Sequence, residues 1–138
     1  MKKMTSKCLC IVIVLMLLSA AGCSIRKEDT KKIQDVEFTV MVPEDVPEEL
    51  KSEIEKVQDT PFRLTYADQG YLYMARGYGE KESNGYSVEV NECYETSDSI
   101  QIQTTLLGPE KGEKIKEIKT YPYVVMKTEY RDKDVIFE

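Results

Sequence analysis

From residue 36 onward the chain is organised by alternation of apolar and polar positions. Val36, Phe38, Val40 and Val42 alternate with Glu37, Thr39 and Met41, the period-two pattern of a half-buried strand, and Pro43 stops it. Pro47 at a first helical position then opens a helix over residues 48–58. There Leu50, Ile54 and Val57 recur at helical spacing behind the acidic pair Glu48-Glu49. Phe62, Leu64 and Tyr66 resume the alternation, Ala67-Asp68-Gln69-Gly70 reads as a turn, and residues 71–78 form the returning arm of a hairpin. Further strands are predicted over residues 86–90, 100–107, 121–127 and 135–137. A turn at 95–99 and a charged loop at 108–114 separate them, while residues 114–119 show no clear period. The pattern predicts a mainly β fold with a minor α component. It is an antiparallel β-sandwich or partly open barrel of about seven short strands, with one short N-terminal helix.

The first 35 residues follow different rules. Lys2, Lys3 and Lys7 make a positive start, residues 8–18 are apolar without a charge, and Ser19-Ala20-Ala21-Gly22 sets small residues directly before Cys23. This is the layout of a lipoprotein signal peptide over residues 1–22, cleaved so that Cys23 becomes the lipid-modified first residue of the mature chain. The apolar run falls short of the ~20 residues that span a bilayer, so a permanent transmembrane helix is the poorer reading. Residues 24–34 are polar and charged without an apolar period. With Cys23 they predict a lipidated tether over residues 23–35, leaving residues 36–138 for one β domain. Several acyl chains, palmitate among them, would hold that domain at the extracytoplasmic side of the cell membrane.

Charge and chemistry narrow the function classes. Taking the three lysines of the first 22 residues from the 19 basic residues leaves 16 against 25 acidic ones, a formal charge of −9, which argues against nucleic acid as a partner. Cys8 and Cys10 leave with the signal and Cys23 takes the lipid, so Cys93 is the one free thiol of the mature chain and no internal disulfide forms. The chain has no histidine, which removes the commonest general base and the usual zinc ligand. The acidic pairs, Glu48-Glu49 and Asp132 with Asp134, sit in charged, solvated surroundings. A non-catalytic protein without cofactor or metal is the expectation.

The segment least like generic surface is the glycine-punctuated loop from Gly77 through Gly79 to Gly85. Residues Glu80, Lys81, Glu82, Ser83, Asn84, Gly85 and Tyr86 are the candidate partner-binding loop, with Tyr78, Tyr86, Tyr121 and Tyr123 as candidate aromatic anchors. An extended backbone there would offer N–H and C=O groups to a partner peptide. The alternative is a wide hairpin in which Asn84-Gly85 only makes a turn.

The run Gly79-Glu80-Lys81-Glu82-Ser83-Asn84-Gly85-Tyr86-Ser87-Val88, with Leu107-Gly108-Pro109 and Thr120-Tyr121-Pro122-Tyr123-Val124-Val125 after it, resembles the protease complex subunit PrcB family over roughly residues 70–127. The chain departs from that family's usual Pro, Thr and Gly at Glu82, Ser83 and Asn84, and Ser83 keeps the hydroxyl. The resemblance implies a PrcB-like domain over residues 36–138 and a membrane-anchored accessory module that associates with and stabilises an exported protease or another envelope protein. Ser83-Asn84-Gly85-Tyr86 is also similar to a loop of chagasin-type protease inhibitors, although the Trp expected beyond it is missing and the chain has no Trp. A purely structural or small-ligand-binding envelope lipoprotein is the third reading.

Overall fold

The computed structural model describes residues 31–138, so the signal segment and Cys23 lie outside the described residues. Among the described residues no helix is long and apolar enough to cross a membrane.

The expected strand at 36–42 is instead two short pieces. Strand β1 (Gln34–Asp35) pairs with one sheet and β2 (Thr39–Val40) with the other, so the chain crosses between them as a strap. Val36 is buried and Phe38 packs on the same core, as the alternation predicts. Beyond the crossing the inward side changes: Met41 packs inward, while Val40 and Val42 are 54% and 53% exposed. A strand that changes sheets cannot keep one face inward along its whole length.

After a 3-10 turn at Pro43–Asp45 comes helix α1 (Glu48–Val57). Pro47 sits at its N-cap with Glu48 and Glu49 in the first turn and Lys56 in the last, an order that suits the helix dipole. The hairpin strands β3 (Pro61–Asp68) and β4 (Tyr71–Tyr78) follow. They are joined by Gln69 and Gly70, both at positive φ, the backbone of a tight two-residue hairpin turn. The remaining strands are β5 (Ser87–Glu95), β6 (Ser99–Leu107), β7 (Tyr123–Glu129) and β8 (Asp134–Phe137).

They form two four-stranded sheets, ordered β1-β5-β6-β8 and β2-β7-β4-β3, which do not close into a barrel. The pairing is antiparallel except at one place: β8 runs parallel to β6, against the wholly antiparallel expectation, because the chain reaches β8 from β7 in the other sheet.

Alternation along β4 divides the core. Leu72 and Met74 point between the sheets with Val36, Cys93, Ile100, Ile102, Val124 and Met126. Tyr73 and Ala75 point the other way, where Leu50 and Ile54 of α1 cover Phe62 and Val125. The result is three layers: sheet, sheet and helix. A bulge at Asn91 shifts the β5 register, so that Val90 and Cys93 both face inward although an even–odd count would separate them. The Asn91 side-chain oxygen accepts a hydrogen bond from Thr105 Oγ1 at 2.6 Å.

Candidate functional site

Each strand pair runs between the same two ends of the molecule. At one end lie the N-terminal strap, the β3–β4 turn and the β7–β8 connection; at the other lie residues 79–86 and 108–122. The candidate loop leaves β4 through Gly79 and enters β5 through Gly85, at φ of 81° and 92°. Both also pass close to prolines: an added Cβ would come 3.1 Å from Pro61 at Gly79 and 2.9 Å from Pro109 at Gly85. Glycine is required at Gly85 on both counts.

Between these glycines the loop is held along its length by the segment entering β7. Lys81 and Thr120 exchange main-chain hydrogen bonds at 2.8 and 2.9 Å, an isolated antiparallel bridge. The Thr120 hydroxyl donates to the Ser83 carbonyl at 2.6 Å. Asn84 reads Lys116 twice, its N–H donating to the Lys116 carbonyl at 3.2 Å and its Oδ1 accepting the Lys116 N–H at 2.8 Å. The Glu80 N–H donates to the Asp59 carbonyl at 3.1 Å, and the Glu80 carboxylate takes the Tyr121 hydroxyl at 3.2 Å and lies 3.5 Å from Lys119. That hydrogen bond to a carboxylate pushes the Tyr121 pKa up.

The expectation of a free extended backbone is therefore corrected at Glu80, Lys81, Ser83 and Asn84. The N–H groups of Glu80, Lys81 and Asn84 and the carbonyls of Lys81 and Ser83 are already engaged within the chain. Ser83 is buried, at 8% exposure, and Asn84 is a clasp. What the loop presents outward is the exposed Glu82 and Gly85 and the half-exposed Lys81 and Tyr86. Beside them the facing segment shows Leu107, Ile115 and Ile118 at 43%, 49% and 52% exposure, interleaved with Lys111, Lys114, Lys116 and Lys119. The ridge can act through side chains and shape, with the main-chain groups of Lys81 and Asn84 already engaged within the chain.

The tyrosines divide by face. Tyr123 packs at 6.4 Å from Phe62 in the layer beneath α1, and burial raises its pKa. Tyr78 hydrogen-bonds Thr104 of the opposite sheet, while Tyr86 stands beside Gly108 at the base of the ridge. Tyr86 and Tyr121 are half-exposed and stay candidate anchors, whereas Tyr78 and Tyr123 pack within the fold. Cys93 is 5% exposed among apolar side chains, and burial pushes its thiol up to about 11, so it carries no thiolate near neutral pH.

Two features at the strap end escaped the sequence reading. Glu95, 8% exposed, accepts hydrogen bonds from Gln34 Nε2, from Arg131 Nη1 at 2.9 Å and from Lys133 Nζ at 3.3 Å, joining β1 to the β7–β8 connection. Gln34 first, then Arg131 and Lys133, hold its pKa below the usual value. Beside this cluster an open cavity of about 930 Å³ lies between the strap residues 34–39 and Tyr71, Lys127, Glu129 and Arg131, with Lys127 Nζ 4.0 Å above the Tyr71 ring. Its lining comes from distant parts of the chain, which no local pattern reveals.

Fold and ridge together define a two-sheet β protein that displays a loop locked by a Thr-Tyr-Pro-Tyr segment. Residues 72–129, from the second residue of β4 to the end of β7, match the family described as PrcB C-terminal. The matched span holds the loop, its clasp and the four strands that carry them. No curated protein and no solved structure matches the chain.

Proposed function

We propose that the chain is a membrane-anchored, non-catalytic accessory subunit that binds and stabilises an exported protease, and that the clasped ridge of residues 80–86 with 107–121 is its recognition surface. The observation that carries this reading is the PrcB C-terminal match, which encloses both halves of the ridge. A loop pinned at Lys81, Ser83 and Asn84 by bonds within the chain has less conformational freedom to lose on binding.

The direction of the tether supports the same reading. Cys23 carries the lipid in this account, and Ile33 is fixed at the strap end by its N–H donating to Glu95 at 2.8 Å. The ridge lies at the opposite end, beyond strands of seven to nine residues, or about 25–30 Å further along. An anchor at the strap end thus presents the ridge away from the bilayer. The test is co-purification from native membranes. An exported protease is captured by the full-length chain, and its capture drops when Lys81, Glu82 and Tyr86 are replaced by alanine. Cys23→Ser moves the chain to the soluble fraction. Equal capture by wild type and the ridge variant contradicts the recognition surface, and no capture of a protease contradicts the accessory role.

A further inference from the structure

Three of the four strands that end the sheets are short: β1 and β2 have two residues each and β8 has four. The other, β3, has eight, and it pairs with β4 along its whole length without a bulge. A long, regular edge of this kind is a template for a further strand, and folded proteins usually shorten or bulge it.

The register fixes which groups β3 offers. The Tyr78 N–H donates to the Pro122 carbonyl and the Tyr130 N–H to the Gly70 carbonyl, so the even-numbered residues of β4 turn their main chain toward β7. The odd-numbered ones, from Tyr71 to Gly77, turn toward β3 and bond their partners Phe62, Leu64, Tyr66 and Asp68. Pro61, Arg63, Thr65 and Ala67 therefore face outward. All four are exposed, and no strand or loop among the described residues bonds their main chain on that side. The edge presents the N–H groups of Arg63, Thr65 and Ala67 and the carbonyls of all four.

The side chains along the edge select what adds to it. Arg63 makes no ion pair among the described residues, and its register partner on β4 is a second cation, Arg76. Like charges directly opposite destabilise a sheet. A strand added outside β3 places one residue beside Arg63 on the same face. A carboxylate there supplies the negative charge the two arginines lack, while a lysine or arginine is repelled. The other face of β3 carries Leu64 and Tyr66, half-buried at the margin of the layer under α1, and apolar residues of an added strand extend that layer. Asp68 closes β3 and disfavours a second acid at its far end.

We propose that the β3 edge is a peptide-binding site that takes an extended segment of a partner protein as an added strand, apolar on the side of Leu64 and Tyr66 and carrying one acidic side chain opposite Arg63. Main-chain bonds to Arg63, Thr65 and Ala67 hold the segment, and Arg63 sets the choice of sequence. The site is separate from the ridge and does not rest on the protease reading.

The test is a titration of the full-length chain in neutral detergent with a capped Thr-Val-Glu-Val-Thr-Val peptide, following backbone amide exchange by NMR. Exchange at Arg63, Thr65 and Ala67 is expected to slow saturably, with a midpoint on the order of 1 mM, while Leu64 and Tyr66, already bonded to β4, stay unchanged. Replacing the peptide's Glu by Gln is expected to raise the midpoint about threefold to tenfold, and Arg63→Gln in the chain to erase that difference. Thr65→Pro removes an edge donor that takes no part in the β3–β4 ladder, and is expected to abolish binding. Should Thr65→Pro not fold, the peptide N-methylated at Glu and both Thr removes the same ladder from the other side and is expected not to bind. Unchanged exchange at the three amides, equal binding of the methylated peptide, or no preference for Glu over Gln overturns the assignment, as does a preference that survives Arg63→Gln. Slowing at those amides with rising chain concentration and no peptide gives the edge to a second copy and overturns it too.

Discussion

Lys81 and Thr120 exchange both of their main-chain hydrogen bonds and, alone among the described residues, pair outside the eight strands. This bridge turns two loops into one ridge. Loop 79–86 on its own is a wide turn with two glycines at positive φ. Joined to residues 116–120 it has a defined surface on which the positions of Glu82, Tyr86, Ile115 and Ile118 are set.

Thr120→Val keeps the shape of the side chain and removes the hydroxyl that donates to the Ser83 carbonyl. The expected cost is about 1 kcal/mol, borne mainly by the ridge. Amide hydrogen exchange at Lys81 and Asn84 should accelerate, while exchange in β4 and β6 stays near wild type.

Gly77 admits no side chain, because an added Cβ would fall 2.0 Å from the Phe62 ring that lies over it. Gly77→Ala must displace Phe62 from the layer under α1, and a loss of about 1–3 kcal/mol or more is expected in urea unfolding. Gly112→Ala is the contrast. That residue has φ of 89° and nothing within 4 Å, so only the cost of the left-handed backbone remains, about 1 kcal/mol.

The alternation in β3, in β6 and in β5 up to Val90 was legible because one face stays inward there, while beyond Val90 the Asn91 bulge turns the pattern of β5 over; α1 was legible because Leu50 and Ile54 lie on one stripe. Reading the strap as one strand failed for the opposite reason: its inward side changes between Phe38 and Met41, where the chain passes from sheet to sheet. The parallel β6–β8 pair and the Arg63–Arg76 register are long-range facts that no local period encodes. For the ridge, the glycines and tyrosines gave its place. Its closed backbone was hidden, because the partners of Lys81, Ser83 and Asn84 lie in a segment without secondary structure or apolar period.

Glu95 gives the fold an acid-sensitive joint. Its carboxyl is held below the usual value in the folded chain, so its contribution to stability is fully present above the unfolded carboxylate pKa and is lost as pH falls through the folded one. Unfolding measured from neutral pH down through the carboxylate range should show this loss. Glu95→Gln should lower stability at neutral pH and flatten the acid limb, because the substituted side chain does not titrate.

Cys93 should be silent toward alkylating reagents in the folded protein. With the thiol enclosed and raised to about 11, iodoacetamide at pH 8 is expected to leave it unmodified over hours and to label it quickly in denaturant. Rapid labelling of the native chain would show that the inter-sheet core opens at β5.

Site-specific photocrosslinking in intact cells decides whether the ridge end meets a protease. A benzophenone side chain at Glu82, exposed on the ridge, is compared with one at Asp132, exposed at the strap end, both in the full-length chain. Crosslinks from position 82, and not from position 132, are expected to carry peptides of an exported protease. Crosslinks to the same proteins from both positions, or a protease reached from position 132 alone, would contradict the ridge as the recognition surface.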